Sequence, residues 1–91
     1  MLVIRNIVVR GKRTSVRLEP EMWEALGEIV ALQGFSVNQL VTELHRRRSA
    51  SSLTSAIRVY IVKFYRSAAR NAMRDEQQSA ARARARNRKP A

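Results

Sequence analysis

Cysteine is absent from the chain, and His45 is its only histidine. Disulfides and thiolate-bound metals are therefore excluded, and a lone imidazole cannot build a metal site. No nucleophile stands beside a base, no acid–base pair stands out and no glycine-rich nucleotide loop occurs. No catalytic residue, metal or cofactor is expected, and an enzyme is the least favoured class. Long apolar runs are missing as well. None reaches the roughly 18 residues of a membrane span, so no membrane partner is expected. The apolar stretch Met1 to Val9 has no basic region ahead of it and no cleavage signal behind it, and it does not read as a secretory signal. The expected location is the cytoplasm.

Acidic residues are scarce. The 91 residues hold 7 Asp and Glu against 18 Lys and Arg, a formal net charge of +11. Self-repulsion on this scale works against a compact monomer, so a polyanionic partner is expected. Nucleic acid fits best, because a duplex presents a dense row of phosphates. A chain this short also buries a modest share of its surface alone and often needs a partner subunit. The charge is unevenly spread. Up to Arg17 there are five basic residues and no acidic one; from Glu19 to Glu43 there are five acidic and no basic; from Arg46 onward basic residues dominate again. Only certain elements are therefore expected to face the polyanion.

Leu2 to Val9 is rich in Ile and Val and looks extended, with Gly11 interrupting it. A second extended run follows, Lys12 to Leu18. Thr14, Val16 and Leu18 fall on one face of it, Arg13, Ser15 and Arg17 on the other. Pro20 suits the first position of a helix, where a missing N–H costs nothing. A first helix is predicted from about Pro20 to Gln33, with the stripe Met22, Trp23, Leu26, Ile29 and Val30 and a stop at Gly34. Ser36 and Gln39 form a capping box for a second helix, striped by Val37, Leu40, Val41 and Leu44. Arg46, Arg47 and Arg48 lie at its negative end. The pattern breaks at Ser49 to Ser52. A third helix begins near Leu53, runs through Ile57, Tyr60, Ile61, Phe64, Tyr65 and Ala68, and reaches about Met73 or beyond. From Arg74 the chain is Ala- and Arg-rich without a stripe, which fits either a frayed helix or a segment ordered by a polyanion. Trp23 is expected in the core. Tyr60, Phe64 and Tyr65 fit core or subunit contact better than a nucleic-acid platform.

One short basic strand, a helix, a glycine turn and a second helix together resemble the ribbon-helix-helix family, the class of the methionine and Arc repressors. The resemblance rests on Arg13-Thr14-Ser15-Val16-Arg17-Leu18 and on Gly34-Phe35-Ser36-Val37-Asn38. Arg13 to Trp23, with Leu53 to Tyr65, also resembles an uncharacterised bacterial subgroup of that family. Its implications are concrete. The fold expected is α+β: an intertwined homodimer with a two-stranded antiparallel ribbon, plus an additional C-terminal helix. Residues 12–48 would be the DNA-binding domain, preceded by an arm or strand at 1–11 and followed by a third helix at 49–73 and a basic tail at 74–91.

A lone strand needs a partner for its backbone groups. Pairing with the same strand of a second chain makes a ribbon that fits the major groove. In the family resembled, the outward strand positions read bases, which implies Arg13, Ser15 and Arg17 as the base readers, with Lys12 on a phosphate. Val37, Asn38 and the Ser36 hydroxyl, at the positive end of a helix dipole, offer a phosphate site, and the resemblance implies that this element clamps the DNA backbone. Phe35 departs from the polar or basic residue expected there. Arg5, Arg10, Arg46, Arg47 and Arg48 are additional candidates for DNA contact. Val16, Leu18, Trp23, Leu26, Leu40 and Leu44 are the expected dimer core. Leu2 to Val9 is left with three roles: an extension of the ribbon, a separate strand folded back, or an arm along the DNA.

The function expected is a sequence-specific transcriptional regulator, more often a repressor, bound to double-stranded DNA of the nucleoid. The rival readings are an antitoxin, whose segment after Arg48 binds a toxin protein, and a nonspecific architectural nucleic-acid-binding protein.

Overall fold

Two consecutive residues with left-handed backbone, Arg10 at φ 52° and Gly11 at φ 77°, fold the N-terminus back on itself. Positive φ at both central positions is the signature of a type I′ turn, whose twist matches the two strands it joins. In the computed structural model, which describes residues 1–47 and 52–87, this turn joins β1 (Val3–Val9) to β2 (Lys12–Leu18). The strands pair antiparallel from Val9↔Lys12 to Val3↔Leu18. The expectation that Lys12–Leu18 lacks a partner in its own chain is thus corrected. Of the three roles left to Leu2–Val9, the folded-back strand is the one adopted.

Three helices follow: α1 (Pro20–Gln33), α2 (Val37–Arg47) and α3 (Leu53–Asn87). The architecture is α+β, a two-stranded antiparallel sheet followed by helices. Pro20 opens α1, and Gly34, at φ 80°, closes it with its N–H donated to the Val30 carbonyl. The inner face of the hairpin buries Ile7, Val9, Val16 and Leu18 against Trp23, Leu26, Ile29 and Val30 of α1, Leu40 and Val41 of α2, and Leu53, Ile57 and Ile61 of α3. Val16, Leu18, Trp23, Leu26 and Leu40 are therefore buried within a single chain, and Leu44 packs half-buried against them.

Trp23 donates its indole N–H to the Val3 carbonyl at 2.9 Å, tying β1 to α1. The start of α3 is held by two polar ties. Arg58 hydrogen-bonds Glu19 at the β2–α1 junction. The Tyr65 hydroxyl donates to Glu28 of α1 at 2.6 Å, and this bond holds the phenol above its ordinary pKa. Tyr60 and Phe64 pack on the core.

Beyond Phe64 the described residues of α3 are exposed, and the helix runs on to Asn87, past the expected end near Met73. Alanine, arginine and glutamine have high helix propensity, so the segment stays helical without a buried stripe. The molecule measures 70 × 27 × 24 Å, its length set by this helix. Among the described residues no helix is long and apolar enough to cross a membrane.

Candidate nucleic-acid interface

The register of the hairpin fixes its outer face. Side chains alternate across a strand, so Arg13, Ser15 and Arg17 share the face opposite the buried Val16 and Leu18, and all three are exposed. Their cross-strand partners are Val8, Asn6 and Ile4 in that order. Ser15 donates its hydroxyl to the Asn6 amide oxygen at 2.9 Å. The face is thus built from both strands: a polar pair in the middle, flanked on each side by an arginine beside an aliphatic residue. Asn6, Ile4 and Val8 were missed from sequence, because nothing there specified which strand lay opposite Arg13–Arg17.

The same register orients the backbone. A two-residue turn makes Val9↔Lys12 a hydrogen-bonded pair, and bonded and non-bonded pairs then alternate along the ladder. The peptide groups of Lys12, Thr14, Val16 and Leu18 therefore face β1, and those of Arg13, Ser15 and Arg17 face away. Among the described residues the sheet has two strands, and none lies beside this second edge of β2.

Three of the other candidates lie apart from this face. Arg5 is in phase with the inner set, and its guanidinium sits 5.0 Å over the Trp23 ring. Arg10 is in the turn. Lys12 is exposed at the end of β2, in phase with Thr14 and not with Arg13.

At the start of α2 the capping box is reciprocal. Ser36 N–H donates to Gln39 Oε1 at 2.8 Å, and Gln39 N–H donates to Ser36 Oγ at 3.1 Å. Leu40 N–H reaches the Ser36 carbonyl. The N–H groups of Val37 and Asn38 belong to the first turn, where a helix offers no internal acceptor. They sit at the positive end of the dipole, as an anion site requires. Phe35 is exposed there and lines a groove of about 230 Å³ with Leu40, Leu44 and Tyr60.

At the other end of α2, Arg46 and Arg47 share one carboxylate. Arg46 approaches Glu43 at 2.5 Å and Arg47 at 2.8 Å. The bond from Arg46 is the main reason the Glu43 carboxyl is held below its ordinary pKa. Two cations on one anion leave one positive charge uncompensated among these three groups. Arg48 lies outside the described residues. Among the described residues no group of three or more His, Asp or Glu is placed to hold a metal ion.

Comparison with known proteins agrees with this geometry. The sequence profile of the ribbon-helix-helix domain matches residues 2–65. Among solved structures, an uncharacterized protein from Bordetella pertussis Tohama I is similar, with 33% identity over 78% of this chain and a TM-score of 0.68. The present chain spans 61% of the length of that protein. No curated protein matches the chain.

Proposed function

From the premise that this chain belongs to the ribbon-helix-helix domain family, a family of DNA-binding folds, we propose that it is a homodimeric, sequence-specific transcriptional regulator, acting chiefly as a repressor at palindromic sites. The observation that carries this reading is the row Arg13, Ser15, Arg17, exposed on a strand whose opposite face is core and whose second edge has no strand beside it among the described residues. Two copies of β2 pair along that edge. The result is a four-stranded sheet in the order β1-β2-β2′-β1′.

Its width decides which strands read bases. Three gaps of about 4.8 Å put the outer strands ~14 Å apart, measured between strand axes. The major groove is only about 12 Å wide. The two central strands enter it and the β1 strands ride at its rims. Arg13 and Arg17 then reach guanine O6 and N7, and Ser15 reaches a base edge. Asn6 holds the Ser15 hydroxyl and faces the rim. The Val37 and Asn38 N–H groups, with Ser36 as cap, grip flanking phosphates. Lys12, Arg46 and Arg47 add phosphate contacts. Such a protein works in the cytoplasm, on the nucleoid.

The rival readings have less support. An antitoxin needs a face for its toxin, but the exposed apolar residues of α3, Val59, Val62 and Met73, are interleaved with Arg66 and Arg70. A nonspecific architectural protein has no use for an arginine–serine–arginine row aligned by the register.

Selection of binding sites from random duplex DNA at physiological salt tests the reading. A consensus with two inverted half-sites is expected. Arg13→Ala or Arg17→Ala then costs roughly 1–3 kcal/mol on the selected site and relaxes preference at one position per half-site. Equal weakening on selected and random duplexes means that these arginines touch backbone only. Absence of any consensus selects the architectural reading.

A further inference from the structure

The exposed part of α3 carries a pattern of its own. Lys63, Arg66, Arg70 and Arg74 recur every three or four residues. At about 100° per residue they fall within roughly 80° of arc. Leu53, Ile57 and Ile61, which hold α3 to the body, lie on the other side of the helix. All four cations are exposed. Among the described residues the ion pairs use Arg46, Arg47 and Arg58, and none of these four.

The two acidic residues of α3 do not relieve them. Asp75 and Glu76 have no cation three or four residues away on either side, the spacing at which a helix forms ion pairs. Arg66 with Arg70, and Arg70 with Arg74, are instead like-charge pairs at i,i+4. Each destabilises an isolated helix. A row of cations kept unneutralised on a solvent-facing helix is complementary to a polyanion. The row spans eleven residue steps, about 16 Å of helix axis. Duplex DNA carries one negative charge per about 1.7 Å of its axis, so a surface of this length meets several phosphates. Four unneutralised cations along one face are complementary in charge to such a surface.

We infer that Lys63, Arg66, Arg70 and Arg74 form a second DNA-contacting surface, which grips the sugar-phosphate backbone of duplex DNA and reads no bases. This rests on the DNA-binding reading above and extends it to an element outside the ribbon and the α2 clamp. The surface supplies affinity and salt dependence, leaving specificity to β2.

The test compares the full chain with the full-length variant Lys63→Gln/Arg66→Gln/Arg70→Gln/Arg74→Gln. Glutamine matches Lys and Arg in helix propensity, so circular dichroism should show the helix retained. Affinity for the selected duplex and for a random duplex is measured by fluorescence anisotropy across a salt series. A second variant, Arg82→Gln/Arg84→Gln/Arg86→Gln, removes charge further along the same helix.

The expected result is a salt slope of log affinity shallower by about 0.9 for each lost phosphate contact, up to about 3.6 per chain. The ratio of specific to random affinity stays unchanged, and the second variant loses less slope per charge removed. An unchanged slope in the fourfold variant overturns the inference, as does an equal loss per charge in both variants, which would report net charge alone. A chain that binds no duplex overturns it together with the DNA-binding reading. Failure to select any consensus, with the fourfold variant still flattening the slope, overturns base readout and leaves this surface standing.

Discussion

At Trp23 one side chain ties α1 to β1 in more than one way. It is 6% exposed, its indole N–H serves the Val3 carbonyl at 2.9 Å, and the Arg5 guanidinium lies 5.0 Å over its ring. Phenylalanine keeps most of the packing and removes the donor. Trp23→Phe should therefore cost about 2 kcal/mol, the sum of a lost hydrogen bond and a small cavity. A urea titration reads this as a lower midpoint at unchanged slope; a shift worth less than about 0.5 kcal/mol would mean that water serves Val3 equally well. Glu19 gives a residue-scale effect of a different kind. The bond from Arg58 is the main reason its carboxyl is held below the ordinary value of 4.5. A carboxylate depressed in the folded state contributes stability that is fully present above its unfolded value and is lost as pH falls through its folded one. Glu19→Gln should melt below the parent chain at neutral pH, and the two melting curves should converge as the pH is taken well under 4.5. A gap that persists in acid would assign the loss to packing instead.

Among the elements, the β1–β2 turn is where sequence and structure part most clearly. Asn-Gly or Gly-Gly is the usual signal for such a turn, and Arg-Gly carries the same geometry with a residue that pays for positive φ. Arg10→Asn should raise stability by about 0.5–1 kcal/mol, since Asn tolerates the left-handed region that Arg adopts at a cost. Thermal melts without DNA measure this directly, and a lower Tm would show that the arginine side chain makes a contact worth more than the strain. The same residue explains why the hairpin was not legible. Without a turn signal, and with Ile4 and Val8 apolar on the solvent side of β1, neither the pairing nor the faces of that strand could be read. Asn6 was lost with them. Where local chemistry is explicit the reading held: Pro20 and Gly34 bound α1, Ser36 and Gln39 cap α2, and strict alternation marks β2 with Arg13, Ser15 and Arg17 outward. The last turns of α3 carry no core stripe, and intrinsic propensity alone, a weak signal over any few residues, continues them to Asn87.

Over the whole molecule, charge sets two opposite responses to salt. The chain carries +11, and among the described residues only Arg46, Arg47 and Arg58 of the 18 Lys and Arg lie in ion pairs. The remaining cations repel one another across a body 24–27 Å thick. At about 0.01 M salt the Debye length, roughly 30 Å, exceeds that thickness, and at 0.15 M it falls to about 8 Å. Screening should therefore relieve repulsion in the free protein. If the relief is about 1 kcal/mol, Tm rises by roughly 4–8 °C for a chain of this size between those two conditions. The DNA complex should behave the other way, because each phosphate contact releases a condensed counterion and is weakened by added salt. Melting the free chain and titrating the duplex over one salt series tests both signs at once. If Tm instead fell with salt, attraction between opposite charges would outweigh repulsion in the free fold despite the excess of cations. That outcome would remove self-repulsion as a reason for a polyanionic partner, and would leave the ribbon and the α3 surface to stand on their geometry alone.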